Sequence, residues 1–299
     1  MDYILYQVDV FTEKPFEGNP AGIVPDAKGL TEETMQKIAT EINVSETAFV
    51  TPINKKEYQV RFFTPECEID LCGHATIATF FTLAHKGYID SIKDGALRVY
   101  QITKVGRLPV DIYFKNGQVD KVMMHQDKPK SLGTVNNLKE ISEALSIKLE
   151  DIGIGNREFK SEIISTGLPD IILPVKSKAI LDNLKIDFPK LKQISKQYNV
   201  IGLHVFCIEN EKKVEKVYCR NFAPIVGINE ESATGTSNGA LIYYLKKNNI
   251  LKKDTLIAYQ GEHLGRPSEI FCEIEQTEND YIVKVGGRSH LVLESVILI

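Results

Sequence analysis

Residues 61–76 read RFFTPECEIDLCGHAT, and residues 220–236 read RNFAPIVGINEESATGT. Each stretch leaves a strand through Arg-x-Phe-x-Pro, crosses an acidic loop, and reaches a turn of small residues, with GHAT at 73–76 and ATGT at 233–236 in matching places. A helix follows each turn: Ala75–His85 (ATIATFFTLAH), and Ala240–Tyr244 with its flanks (SNGALIYYLKK). Both are apolar on nearly all faces, and such a helix must be surrounded by protein. The near-repeat predicts an α+β chain of two pseudo-symmetric domains, each a curved, mostly antiparallel sheet wrapped around a central helix.

The rest of the chain fits that expectation. Segments rich in Val, Ile, Tyr and Phe predict strands at 3–11, 47–51, 58–63, 97–102, 108–114 and 119–124. A second set lies at 204–208, 214–221, 256–259, 269–274, 281–285 and 290–298. Amphipathic helices are predicted at Thr31–Ile42, with Thr31 as N-cap, and at Leu138–Leu145, where Asn137 and Glu140 have capping-box spacing. The Lys, Pro, Gly and Asn content of QDKPKSLGTVNN at 126–137 suggests the boundary between domains.

A length of 299 residues is enough for two cores. Net charge of −4 and pI near 5.9 give no electrostatic reason to expect nucleic acid. The start, MDYILYQVDVF, carries Asp2 and Asp9 and does not resemble a signal peptide, and no apolar run reaches about 18 residues, so a cytoplasmic protein without a membrane partner is expected. The five cysteines are scattered without a CxxC pair, which suggests neither a disulfide framework nor a zinc ribbon.

The chemistry concentrates at the two helix starts. Unpaired backbone N–H groups and the helix dipole make the Cys72-Gly73-His74 and Thr234-Gly235-Thr236 turns suited to a small carboxylate. If the domains face each other, these turns could meet across a cleft. The same helix field should disfavour protonated His74 and leave a neutral imidazole able to carry a proton. Cys72 and His74 alone lack a second ligand pair and no HExxH is present, so no metal is expected. GxGxxG and GxxxxGK[ST] are absent, Gly153-Ile154-Gly155 being only a fragment, and no cofactor is expected.

Six motifs in order, GNPAGIV at 18–24, NVSETAFV at 43–50, CGHAT at 72–76, RNFAP at 220–224, SATG at 232–235 and QGEHLGRPS at 260–268, resemble the PhzF family of phenazine-biosynthesis isomerase-like proteins. The resemblance implies the diaminopimelate-epimerase-like fold, with residues 1–127 and 279–299 in one domain, 128–278 in the other, the active site between them, and a homodimer. It implies a cofactor-independent isomerase in which Glu46 moves a proton on a small carboxylate. His74 and Glu231 assist, and Asn19, Ser45, Cys72, Gly73, Thr234, Gly235 and Thr236 line the site. A partly desolvated Glu46 is expected to have a raised pKa.

Three departures stand out. Glu231-Ser232 replaces the family's usual Asp-Pro, and Thr236 stands where Ser is common. Related epimerases use two cysteines, and although Cys72 occupies the place of the first, Ser232 and Ala233 occupy that of the second. Cys72 is therefore expected to pack or line the site. A carboxylate-binding or regulatory protein without catalysis, and an amino-acid racemase or lyase on the same fold, are the alternative functions.

Overall fold

The computed structural model describes residues 2–155, 159–210, 214–278 and 280–299. The chain divides into two units, residues 1–125 with 286–299 and residues 126–285. The first division falls two residues before the expected one. The expected return to the first domain, at residue 279, lies outside the described residues, and the observed return is at 286.

The first unit contains β1 (Asp2–Val10), β2 (Asn19–Val24), α1 (Glu32–Ile42), β3 (Glu46–Asn54), β4 (Glu57–Phe63), β5 (Glu68–Ile69), α2 (Gly73–His85), β6 (Gly95–Thr103), β7 (Gly106–Lys115) and β8 (Gln118–His125). The second contains β9 (Lys130–Thr134), α3 (Leu138–Ala144), β10 (Glu162–Ser165), β11 (Pro169–Pro174), α4 (Lys178–Asp182), α5 (Phe188–Tyr198), β12 (Gly202–Ile208), β13 (Lys216–Ala223), β14 (Ile228–Glu231), α6 (Gly235–Lys247), β15 (Thr255–Gln260) and β16 (Ser268–Gln276). Strand β17 (Tyr281–Gly287) leads out of it, and β18 (Ser289–Leu298) returns to the first unit to pair antiparallel with β1.

Helix α2 lies against β1, β2, β3, β7, β8 and β18, and every residue from His74 to Ala84 is buried. Its three threonines can be buried because each hydroxyl donates to the carbonyl four residues earlier, Thr76 to Cys72, Thr79 to Ala75 and Thr82 to Ala78, all at 2.7 Å. Helix α6 occupies the corresponding place against β10, β11, β15 and β16. The outer helices bury one face only. In the first unit Met35, Ile38 and Ala39 of α1 pack on Leu5, Val24, Phe49 and Phe63. In the second, Ile141 of α3, its C-cap Leu145, and Leu191 and Ile194 of α5 pack with Leu203, Val205 and Phe222.

The sequence repeat has a structural counterpart in each half. Phe62 of β4 faces Ile69 of β5, and Asn221 of β13 faces Glu231 of β14. Four residues beyond each partner the central helix begins at a glycine, Gly73 or Gly235. The helix starts therefore match as Cys72 with Thr234, a shift of two residues from the GHAT–ATGT alignment. The arginine of Arg-x-Phe-x-Pro clamps the carboxylate one residue before that partner. Arg61 Nε and Nη2 donate to Glu68 at 2.7 and 2.8 Å, and Arg220 Nε and Nη2 donate to Glu230, both at 2.8 Å. Two parallel charge-assisted bonds fix the direction of the loop as well as its distance.

Thr31 caps α1 by accepting from the Thr34 N–H, and Asn137 caps α3 by accepting from the Glu140 N–H, as the spacing predicts. Residues 126–137 are not wholly a linker, because Lys130–Thr134 form β9 against β10. The strand's exposure on every residue removes the apolar alternation that would have marked it.

Candidate active site

Glu46 opens β3, held between β2, where Ala21 is its parallel partner, and β4, where Phe63 faces the following Thr47. This register brings the strand start to the N-terminus of α2. His74 Nε2 lies 3.0 Å from Glu46 Oε2, and both side chains are largely buried. His74 Nδ1 lies 3.4 Å from Cys72 Sγ, so the imidazole stands between thiol and carboxylate. Ser45 Oγ lies 3.3 Å from His74 Nε2 and donates to the Pro20 carbonyl at 3.0 Å and to Asn19 Oδ1 at 3.5 Å. The first unit thus brings together Asn19, Ser45, Glu46, Cys72, Gly73 and His74.

Two features open this site to a ligand. Cys72 is the N-cap of α2 and its side chain caps no N–H, so the first turn lacks the usual side-chain acceptor. Gly73 has an ordinary φ, and a Cβ built there meets nothing within 4 Å. Neither packing nor backbone strain calls for glycine at this position. The bare backbone there leaves room for close approach from outside.

The charge state differs from the sequence expectation at both ionisable groups. Burial alone would push the Glu46 carboxyl up. The His74 imidazolium, helped by Ser45 and Cys72, more than offsets this, and the carboxyl is held below its ordinary value. For His74, burial again opposes the charged form, while Cys72 on one ring nitrogen and Glu46 on the other raise its pKa well above the ordinary 6.5. Burial, then the Glu46 charge, push the Cys72 thiol up, so at neutral pH it is protonated; the part of the His74 rise that needs a Cys72 thiolate is then withheld, and the part that remains comes from Glu46, its counter-charge. Instead of a neutral imidazole and a carboxyl of raised pKa, the site holds an imidazolium–carboxylate pair. The field of the helix start is outweighed by a full charge at 3.0 Å. Glu46 Oε2 is buried without a hydrogen bond of good geometry, the imidazole lying at ion-pair distance but out of line.

Donor atoms of Glu46, Cys72 and His74 all lie within 4.8 Å of one another. The imidazole, however, turns a different nitrogen to each neighbour, and one ion can take only one of them. This geometry suits a proton relay better than a metal.

In the second unit, Glu231 ends β14, Ser232, Ala233 and Thr234 form the turn, and Gly235 and Thr236 open α6. Thr234 is the N-cap of α6, again with no side-chain cap bond. Gly235 is tightly packed, since a Cβ there would lie 3.3 Å from Val285 Cγ2.

Beneath this helix start lies a polar group that sequence reading missed. Ser237 Oγ donates to Asp170 Oδ2, Asn221 Nδ2 reaches Ser237 Oγ at 3.1 Å and His204 Nδ1 at 3.3 Å, and His204 Nε2 lies 3.3 Å from Asn238 Oδ1. Burial pushes the Asp170 carboxyl up and the His204 imidazole down to about 4. No local pattern announces these residues, which come from three strands and a helix and meet only in the fold.

The two halves diverge where the chemistry lies. Leu203 faces Phe222 as Thr47 faces Phe63, so the place of Glu46 falls to Gly202, and the place of its neighbour Ala21 falls to Asp170. A Cβ at Gly202 would sit 2.0 Å from the Phe222 carbonyl oxygen. The second unit has no room for a side chain at the position where the first carries its carboxylate.

The sequence profile of the PhzC-PhzF family, described as phenazine biosynthesis-like protein, matches residues 8–295. An uncharacterized isomerase of Clostridium acetobutylicum is 36% identical, covering 99% of this chain and 98% of that protein. A Bacillus anthracis phenazine biosynthesis protein of the PhzF family superposes with a TM-score of 0.86 at 28% identity, with 100% of both chains covered. A probable proline racemase of Agrobacterium radiobacter, 13% identical with a TM-score of 0.64 and covering 98% of this chain and 92% of that one, shares the fold.

Proposed function

The chain belongs to the PhzC-PhzF family of phenazine biosynthesis-like proteins, and from that premise we propose that it is a cofactor-independent isomerase that moves a proton between carbons of a small carboxylate. The observation that carries this reading is the buried Glu46–His74 ion pair beside the uncapped, glycine-opened start of α2.

An ion pair presents a base and an acid together. Glu46 takes a proton from one carbon of the substrate, and the electron pair released is delocalised toward the substrate's unsaturation or carboxylate. His74, already protonated, delivers a proton to the second carbon. The cycle closes when neutral Glu46 returns its proton to His74 across their 3.0 Å separation. The substrate carboxylate binds at the first turn of α2, where N–H groups take up developing negative charge. Ser45 and Asn19 orient His74, and Cys72, a neutral thiol, holds Nδ1.

The Thr234-Gly235-Thr236 turn is the second carboxylate-recognising element of the proposal, and Glu231 is the second acid/base group. Glu231 reaches one methylene further than the aspartate common in the family, and Thr236 adds a methyl group to the serine. Both changes point to a substrate of different shape from that of aspartate-bearing relatives.

The test is proton NMR in deuterated buffer with a panel of small unsaturated and amino carboxylates, including dihydro-hydroxyanthranilate, run on wild type and Glu46→Gln. Solvent deuterium entering a carbon position, or a substrate proton reappearing at a new carbon, is expected with wild type and not with Glu46→Gln. Tight binding of a panel member without movement of any carbon-bound proton would show a binding protein for that ligand.

A further inference from the structure

The segment QGEHLGRPS at 260–268 has no part in the chemistry above, yet three of its residues converge on the Glu231–Thr234 turn. Gln260 ends β15 and Ser268 opens β16, and the two face each other across the hairpin. Gln260 is 1% exposed, and both ends of its amide are used. Nε2 donates to the Glu231 carbonyl at 2.9 Å and to Thr234 Oγ1 at 3.0 Å. Oε1 accepts from Asn238 Nδ2 at 3.0 Å and, more distantly, from the Thr234 N–H at 3.4 Å.

Ser268 Oγ donates to the Ser232 carbonyl at 3.1 Å. Gly261, at φ +82°, lets the hairpin close on that same carbonyl, since a Cβ there would come within 2.5 Å of it. Glu231, Ser232 and Thr234 are therefore each tied to the hairpin through a named atom. Threonine is a favoured N-cap because its oxygen can accept from the helix N–H groups. Here that oxygen accepts from Gln260 instead, and the first turn of α6 has no side-chain cap.

We propose that Gln260 is a positioning residue: it fixes Glu231 at one end of the turn and holds the Thr234 hydroxyl at the other, and so sets the geometry in which the start of α6 meets a carboxylate. Its final clause rests on the reading of this turn as carboxylate-recognising. The rest does not. Asn238, one helical turn into α6, completes the seat by donating to the Thr234 carbonyl at 2.9 Å, so the turn is gripped from the hairpin and from its own helix.

The experiment has two readouts. Hydrogen–deuterium exchange over residues 231–237 reports the turn without any ligand, and the fluorescence of 2-aminobenzoate reports carboxylate binding. Gln260→Ala is compared with Leu256→Ala, a core truncation in the same strand that takes no part in these hydrogen bonds. Loss of the buried Gln260 hydrogen bonds to Glu231 and Thr234 predicts that Gln260→Ala speeds exchange of the turn, and weakens 2-aminobenzoate, by about tenfold or more. Leu256→Ala is expected to leave both readouts within about twofold of wild type after its stability loss is matched by temperature.

Gln260→Glu keeps the shape but sets a carboxylate against the Glu231 carbonyl. Its affinity relative to wild type, which carries the same neighbouring Glu231, Glu262 and His263, should recover as pH falls and the new acid becomes a donor. This variant carries the test if Gln260→Ala does not fold. Wild-type exchange in Gln260→Ala, equal acceleration by Leu256→Ala, or a flat relative affinity for Gln260→Glu would each overturn the proposal. Faster exchange in Gln260→Ala with no 2-aminobenzoate binding by wild type supports the positioning role and removes the carboxylate reading for that probe.

Discussion

Replacing Glu46 with glutamine removes a charge while keeping the side chain's shape, and its first effect should fall on His74. With 3.0 Å between Oε2 and Nε2, the attraction is of order 5 kcal/mol at an effective dielectric constant of about 20. Burying the imidazolium consumes part of that, and if about half survives, roughly 2–3 kcal/mol, it corresponds to about two pKa units. Histidine side-chain nitrogen NMR, with His74→Asn to assign the signal, should show His74 titrating above 6.5 in wild type and clearly lower in Glu46→Gln. The signs for stability follow. The raised His74 contributes fully below its unfolded value near 6.5 and loses that contribution as pH rises through its folded value. The lowered Glu46 contributes above its unfolded value near 4.5 and loses it as pH falls through its folded value. Between these limits the pair should stabilise wild type relative to Glu46→Gln, and thermal unfolding at pH 5, 6 and 7 measures that difference. A His74 titration shifted by less than about half a unit would refute the assignment of Glu46 as its counter-charge.

Other perturbations test the frame around the site. Arg220→Ala leaves the Glu230 carboxylate without its bidentate partner in a pair whose side chains are 9% and 11% exposed, and should cost about 3–5 kcal/mol in denaturant unfolding. Arg61→Ala, where the arginine side chain is 26% exposed, should cost clearly less. Gly202→Ala forces its Cβ against the Phe222 carbonyl at 2.0 Å and should destabilise by roughly 3 kcal/mol or more, visible as loss of soluble protein or a large fall in Tm. His204 should stay neutral down to about 4 in the folded state, so its unfolded form binds the extra proton and stability falls by about 3 kcal/mol between pH 6.5 and 4. Asp170, pushed up by burial, acts with the opposite sign over part of that range. The His204 contribution is therefore read as the difference between wild type and His204→Gln across pH, and parallel curves would exclude it.

What was legible in the chain depended on how far the deciding interaction reaches. The Thr31 cap, the wholly apolar α2 and the repeated Arg-x-Phe-x-Pro are signals within one or two turns or a few strand residues. The two-residue β5 and the four-residue β14 are too short to show alternation, although the arginine that precedes each loop could have been paired with its acidic residues. Helix α4, of five residues, offers less than two turns of periodicity, and α5 begins with its Pro inside the first turn, where proline reads as a break unless Asp187 is recognised as N-cap. The charge state of the site was misjudged for the same reason of range. Position in the first turn of a helix is visible in sequence, but the carboxylate 28 residues earlier is brought to 3.0 Å only by the pairing of β3 with β2 and β4.

The internal repeat sharpens the assignment of roles because each half serves as a control for the other. Arginine clamp, short strand, small turn and buried helix are common to both, so these parts are explained by the need to hold a helix start in place. What differs cannot be explained that way. Glu46 is answered by Gly202, where backbone contact leaves no room for any side chain. His74 is answered by Thr236, and Cys72 by Thr234, whose hydroxyl is taken by Gln260. The Glu46–His74 pair is thus confined to the first unit, while the second, which offers Glu231, spends Asp170, Ser237, Asn221, His204, Asn238 and Gln260 on a network beneath and beside its helix start. A frame duplicated for two equal acid/base groups would be expected to keep a proton carrier at both strand starts. On the proposed reading, in which the first half carries the Glu46–His74 pair, the other half is free to lose the carrier at its strand start, as Gly202 shows, and to stiffen its turn, as Gln260 does.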